Sequence, residues 1–372
     1  MHSAAREVRT LPHRALPSRS CRSGAGYLAA LLALVSVGCT SAVAAEVEAD
    51  AVAPLPARLS GTGLYVSGST REVRPEHVFF VPQYPLWSDG AAKRRWLSLP
   101  PGTTIDASDP DAWVFPVGTR LWKEFSFGER TETRYIERRA DGSYRYATYV
   151  WDAASDDALL APESGVRGAR PLASGQSHDI PSSADCLACH EGRRSPVLGF
   201  NALQLSPDRD PLAVHREPVP ASAVDLAELV RRDLISGLPP ALITEPPRIA
   251  APTPTTRAAA GYLFGNCSSC HNAQGPLAGL GLDFDQSVLD GAGHARLRAS
   301  ALTRASKFRL PGEDSSRRAL PGQPEQSSIW FRMQARDPVA QMPPLGSKLV
   351  DRDGVALVAA WISHDLQPND RK

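Results

Sequence analysis

Two pentapeptides, Cys186-Leu187-Ala188-Cys189-His190 and Cys267-Ser268-Ser269-Cys270-His271, repeat one pattern, C-x-x-C-H. Thiols three residues apart share a face of a helical turn. Both can therefore add to the vinyl groups of a single haem, while the adjacent imidazole binds the iron. Two independent matches in one chain make coincidence a poor explanation. The chemistry implied is covalent attachment of two haem c groups, with Cys186, Cys189, Cys267 and Cys270 as anchors and His190 and His271 as proximal ligands. A zinc site built from the two cysteine pairs is the competing metal chemistry. It needs no histidine after each second cysteine, and thiols of an exported protein would be open to oxidation.

Each iron also needs an account of its other face. Met342 is followed by Pro343-Pro344-Leu345-Gly346, and the prolines stiffen a loop that can hold a thioether, a weak ligand for ferric iron, in place. His271 with Met342 would give a six-coordinate, low-spin haem of raised potential. Met333 is the alternative in the same segment, and packing in the core is the ordinary fate of a methionine. For the first haem no methionine lies between His190 and Cys267. His2 and His13 lie near the N-terminus, so His77, His178, His215, His294 and His364 are left as donors. His215, past the first motif, and His178, just before it, are the nearest candidates, beside Met333 or an open site.

The N-terminus reads as an export signal. Arg6, Arg9, Arg14, Arg19 and Arg22 precede an apolar run from Tyr27 to Val37, and Ala42-Val43-Ala44 fits an A-x-A cleavage site before Ala45. The run is shorter than the roughly 20 residues that span a bilayer. Val37-Gly38-Cys39 is half of a lipobox with Ser36 where Leu is usual, so a lipid-anchored form is the variant reading. The expected location is the periplasm. Without residues 1–44 the chain carries 36 basic and 39 acidic residues, and no basic face points to nucleic acid. Of six cysteines, Cys21 and Cys39 lie in this leader and the other four in the two motifs, leaving none for a structural disulfide.

The 372 residues are enough for several cores. Residues 55–160 hold five of the seven tryptophans and read as an antiparallel β-domain, sandwich or jelly-roll-like. Strands are expected at Arg94–Leu99, Ala112–Pro116, Thr119–Phe127, Thr131–Arg138 and Ser143–Trp151, the last two joined at Asp141-Gly142. Tyr84, Trp87 and Trp96 could stack on a sugar ring, although aromatics at strand spacing ordinarily form core. Residues 161–176 read as a linker. A first haem-binding unit (172–250) follows, with an amphipathic helix at Val224–Ser236, and then a proline-rich connector. The second unit (251–372) opens with a helix at Thr256–Gly265 and closes with one at Gly354–Asp365 capped by Asp353. A helix running into the motif, a Met-bearing loop and a closing helix make this mainly α unit similar to a class I cytochrome c.

From about Leu59 to the C-terminus the chain resembles a family of secreted di-haem proteins, found singly or fused to propeller domains similar to quinone-dependent sugar dehydrogenases. The match is carried by Ser60-Gly61-Thr62-Gly63-Leu64, Tyr84-Pro85-Leu86-Trp87-Ser88-Asp89-Gly90-Ala91, Lys93-Arg94-Arg95, Pro100-Pro101-Gly102 and Phe115-Pro116-Val117-Gly118-Thr119. It continues through Ile180-Pro181-Ser182, Leu198-Gly199-Phe200, Gln204-Leu205, Ser236-Gly237-Leu238-Pro239, both motifs and Gln341-Met342-Pro343-Pro344-Leu345-Gly346. The resemblance implies a periplasmic or surface-attached haem protein and names no substrate. The expected function is single-electron transfer between a redox partner, such as a quinone-dependent dehydrogenase or another cytochrome, and an acceptor. A di-haem peroxidase or oxygenase with an open first haem is the alternative, and sugar binding by the β-domain ranks below both.

Overall fold

The aromatic and β-branched residues of the N-terminal third pair into a six-stranded antiparallel sheet in the computed structural model, which describes residues 54–152 and 156–366. The leader, with its cleavage site and Cys39, lies outside the described residues. The sheet comprises β1 (Val78–Phe79), β2 (Ala92–Ser98), β4 (Arg120–Phe127), β5 (Glu129–Arg138), β6 (Tyr144–Trp151) and β7 (Ala158–Leu160), in that spatial order. The expected hairpin forms at Asp141-Gly142, where Gly142 takes φ 81°, a left-handed conformation that glycine adopts without strain. β3 (Ile105–Asp106) leaves this sheet to pair in parallel with β10 (Ile235–Ser236).

Two facing rows settle what each side of the sheet does. Trp96, Trp122, Tyr135 and Ala147 stand opposite one another across β2, β4, β5 and β6. They pack with Leu59, Leu64, Tyr65 and Tyr149 into a dry outer core. One residue along, on the opposite face, Arg95, Lys123, Arg134 and Thr148 form the next row, followed by Leu97, Leu121, Ile136 and Tyr146. That inner face is apolar at one end and cationic at the other.

Several expectations change. Among the described residues the other sheets are two-stranded pairs, so helices and loops, not a second large sheet, cover the faces. Residues 112–116 form a single bridge, Val114 to Asp106, while Trp113 and Phe115 fill the core beside Phe200; prolines at 110 and 116 each remove a ladder donor. The supposed linker, residues 161–176, contains a strand, β8 (Val166–Pro171), which pairs with β9 (Ser177–Ile180) just beyond it. The helix expected from Val224 is only α2 (Leu226–Arg231), capped by Asp225 and followed by Asp233 at φ 52°.

After β9 the chain is helical in pieces. The pieces are α1 (Ser183–His190), α2, α3 (Ala241–Thr244), α4 (Pro254–Cys267), α5 (Gly293–Leu302), α6 (Ser328–Gln334) and α7 (Arg352–Ala360), which continues into a wider turn at Trp361–Asp365. Short strands β11 (Ala305–Ser306) and β12 (Ser316–Arg317) pair between α5 and α6. Asp351, not Asp353, caps α7, accepting from the Gly354 N–H at 3.0 Å. α4 is buried from Thr256 through Phe264. Its two glycines let Tyr84 in: a Cβ on Gly261 would stand 2.0 Å from the Tyr84 ring, and one on Gly265 2.4 Å from the Tyr84 carbonyl. No helix among the described residues is long and apolar enough to cross a membrane.

Candidate haem-binding site

α1 begins with a complete capping box, in which Ser182 accepts from the Asp185 N–H and Asp185 accepts from the Ser182 N–H. The helix ends on His190. The second motif occupies the last residue of α4 and the turn beyond it, with the His271 N–H bonded to the Cys267 carbonyl at 2.9 Å. All four cysteines, both motif histidines, Met333 and Met342 line one continuous cavity of about 310 Å³, within the range of small-molecule sites. The sequence candidates most specific to haem chemistry are thus brought together.

The motifs also touch each other. Cys270 Sγ is 3.7 Å from the carbonyl of Ala188, the residue before Cys189. Asn272 Nδ2 donates to the Gly192 carbonyl at 2.8 Å and to the Ser268 carbonyl at 2.8 Å. Arg193 donates to Ser268 Oγ at 2.9 Å and pairs with Asp285. A Cβ on Gly192 would sit 2.1 Å from the Ser269 carbonyl oxygen, so this approach needs glycine.

The donor set suits an iron porphyrin. His190 Nδ1 lies 2.7 Å from the Pro196 carbonyl, which fixes the proton there and leaves Nε2 as the lone-pair nitrogen. Burial is the main reason both imidazoles are held neutral, each pushed down to about 4; Lys123 and Arg134 add to the effect at His190, and Arg332 and Arg318 at His271. His271 Nδ1 is buried without a hydrogen-bond partner. Burial also keeps the thiols protonated, raising Cys186, pushing Cys189 to about 11 with help from nearby Cys270, and pushing Cys267 to about 12. Leu277, Leu280, Leu282, Phe284 and Phe308 are among the apolar residues of the cavity wall, and Phe284 packs edge-on against His271 with ring centres 5.6 Å apart. Among the described residues no three His, Cys, Asp or Glu side chains converge as a bare-metal site.

The candidate distal histidines go elsewhere. His178 is buried, with Nδ1 3.3 Å from Asp89 and Nε2 3.2 Å from Glu132. Burial opposes its charge, but the two carboxylates outweigh it and raise the imidazole to about 9, an imidazolium with no lone pair to give. His215 places Nε2 2.8 Å from Asp351. Neither lines the cavity, and neither do His77, His294 and His364. Met333 does line it, from α6. Tyr84 and Trp96 are each 3 % exposed and belong to different cores, so they do not form a sugar-stacking surface.

Sequence reading misses the charged inner face of the sheet. Arg95, Lys123 and Arg134 line the cavity. Arg95 is paired with Glu217 at 2.5 Å and Arg134 with Glu132 at 2.7 Å. Their signal was available only as strand register, since one residue's shift reverses the face. No family model matches the chain, and neither a curated protein nor a solved structure matches it.

Proposed function

We propose that this chain is an exported di-haem c-type cytochrome of the secreted di-haem family, carrying single electrons between a redox protein, such as a quinone-dependent dehydrogenase or another cytochrome, and an acceptor. The observation that carries the reading is the direct contact of the two C-x-x-C-H motifs on one cavity wall. Cys186 and Cys189 hold one haem c and Cys267 and Cys270 the other, with His190 and His271 as proximal ligands and Met342 as the second ligand of the second iron. When bound, the haems supply a one-electron iron couple. The chain anchors them, fixes the His190 tautomer through Pro196, and excludes water with the apolar wall around His271. Groups attached at Cys189 and Cys270 start from neighbouring points, which suits electron exchange between them. The second unit, with α4 leading into its motif and α7 closing the chain, is read as class I cytochrome c-like.

Intact mass and electron paramagnetic resonance of the oxidised protein, produced with c-haem maturation machinery, test the proposal. Two covalent haems are expected, and a mass without them overturns it. A second reading, a di-haem peroxidase or oxygenase, is favoured by one observation: the histidines nearest the first motif in sequence are engaged by carboxylates. Peroxide turnover with a persistent high-spin haem would decide for it.

A further inference from the structure

On the di-haem reading, none of the histidines offered for the first iron lines the cavity, and Met333, which does, packs from α6 into the core with Leu263 and Phe284, on the side of the second motif. Most polar groups on the cavity wall have other work. Tyr84 Oη donates to Asp210 at 3.1 Å, Asn266 Oδ1 accepts from the Trp87 N–H at 2.8 Å, and Asp185 closes the capping box. Guanidinium groups such as Arg95 and Arg134 offer no lone pair. Tyr146 Oη is buried without a partner, but the Tyr146 ring centre is 5.1 Å from that of His190. At that separation it packs on the imidazole and leaves no room for a metal between them.

We propose that Lys123 is the sixth ligand of the haem iron held by His190. Lys123 sits mid-strand on β4, on the inner face, and lines the same cavity as His190. Its Nζ has no hydrogen bond or ion pair among the described residues and lies 4.9 Å from the centre of the Phe125 ring. β6 brings Tyr146 against His190, while β4 lies two strands further across the same face. Ordinary strand spacing makes that separation roughly 10 Å, a span that a flexible four-carbon stem helps to bridge. Lys123 is half-buried, between Arg95 and Arg134 in one row of the inner face. Binding iron releases the ammonium proton to solvent, and the amine lone pair becomes the ligand.

The test uses the full chain carrying both haems, with Lys123→Ala, Lys123→Arg and Lys123→Met compared by intact mass, ferric electron paramagnetic resonance and redox titration. Wild type is expected to have two low-spin irons. Lys123→Ala and Lys123→Arg should each convert one iron to high spin with both haems still attached. Lys123→Met, whose sulfur lies two atoms nearer the backbone than Nζ, should fill the space without reaching the iron and give the same high-spin signal with both haems attached, and it serves if the alanine variant misfolds. Unchanged low-spin signals, a shifted potential without a spin change, or a wild-type iron already high-spin would each overturn the assignment of Lys123. A wild-type mass with fewer than two haems would instead overturn the di-haem reading on which it rests.

Discussion

The same five-residue pattern occurs twice and is set in two unlike environments. His190 ends a short capped helix against a sheet face that carries Arg95, Lys123 and Arg134, and its Nδ1 is held by a backbone carbonyl. His271 follows a long buried helix, its Nδ1 has no partner, Phe284 packs edge-on against it, and the cations that act on it, Arg332 and Arg318, come from the C-terminal segment and not from the sheet. On the di-haem reading, the motif would specify attachment, while the surrounding chain would specify what the attached group becomes. Axial ligand and local polarity are the levers that separate haem potentials, so two sites built this differently are suited to unequal steps in one relay.

The comparison can be broken most severely at the anchors. Replacing Cys267 and Cys270 with serine should leave one covalent haem of the non-methionine type, whereas Cys186→Ser with Cys189→Ser should leave the methionine-ligated one; intact mass and visible spectra distinguish them. Retention of two covalent haems in either double variant would contradict the attachment scheme. Met342→Ala should next turn the second iron from low to high spin and lower its potential by on the order of 0.1 V, a fraction of the roughly 0.8 V that axial ligands span. An unchanged spectrum would move the ligand to Met333.

Smaller effects probe how the two sites are held together. Gly192→Ala drives a methyl group into the Ser269 carbonyl and should cost about 1–3 kcal/mol in urea unfolding, with both haems retained. A cost near zero would mean that the motif contact yields freely. The Asp89–His178–Glu132 cluster sets a pH dependence. His178 is raised to about 9, so its contribution is complete below its unfolded value near 6.5 and is lost as pH rises through 9, by up to about 3 kcal/mol. Burial opposes the charges of Asp89 and Glu132, but His178 and the Leu349 and Lys348 N–H groups at Asp89, and Arg134 and His178 at Glu132, lower both carboxyls. Their share is lost toward acid. Melting temperature against pH should therefore fall on both sides of neutrality, and His178→Gln should flatten the alkaline limb.

Much of this is legible in the sequence where local pattern and environment agree. Strands β4, β5 and β6 follow from alternation and from Asp141-Gly142, and α4 from the apolar Ala260, Tyr262 and Leu263 just ahead of the second motif. The four thiols and two histidines follow from spacing alone. Lys123 is hidden because a lysine within a strand reads as solvent-facing, and only its register with Arg95 and Arg134 turns it inward. His178 is hidden for a related reason, since its carboxylate partners lie 89 and 46 residues away in sequence. The helix expected at Val224–Ser236 fails because pairing of Ile235 with Ile105 takes its end into a strand.

Asp89 has one more consequence. While one of its oxygens faces His178, the other accepts the N–H groups of Lys348 and Leu349 at 2.7 and 2.9 Å, closing the Met342 segment onto a residue some 260 positions earlier. Long-range closures of that span are slow to form. On the di-haem reading, a late closure would keep the four thiols within reach of attachment chemistry until the C-terminal segment docks on Asp89, so the same contact that seals the cavity would set when it is sealed.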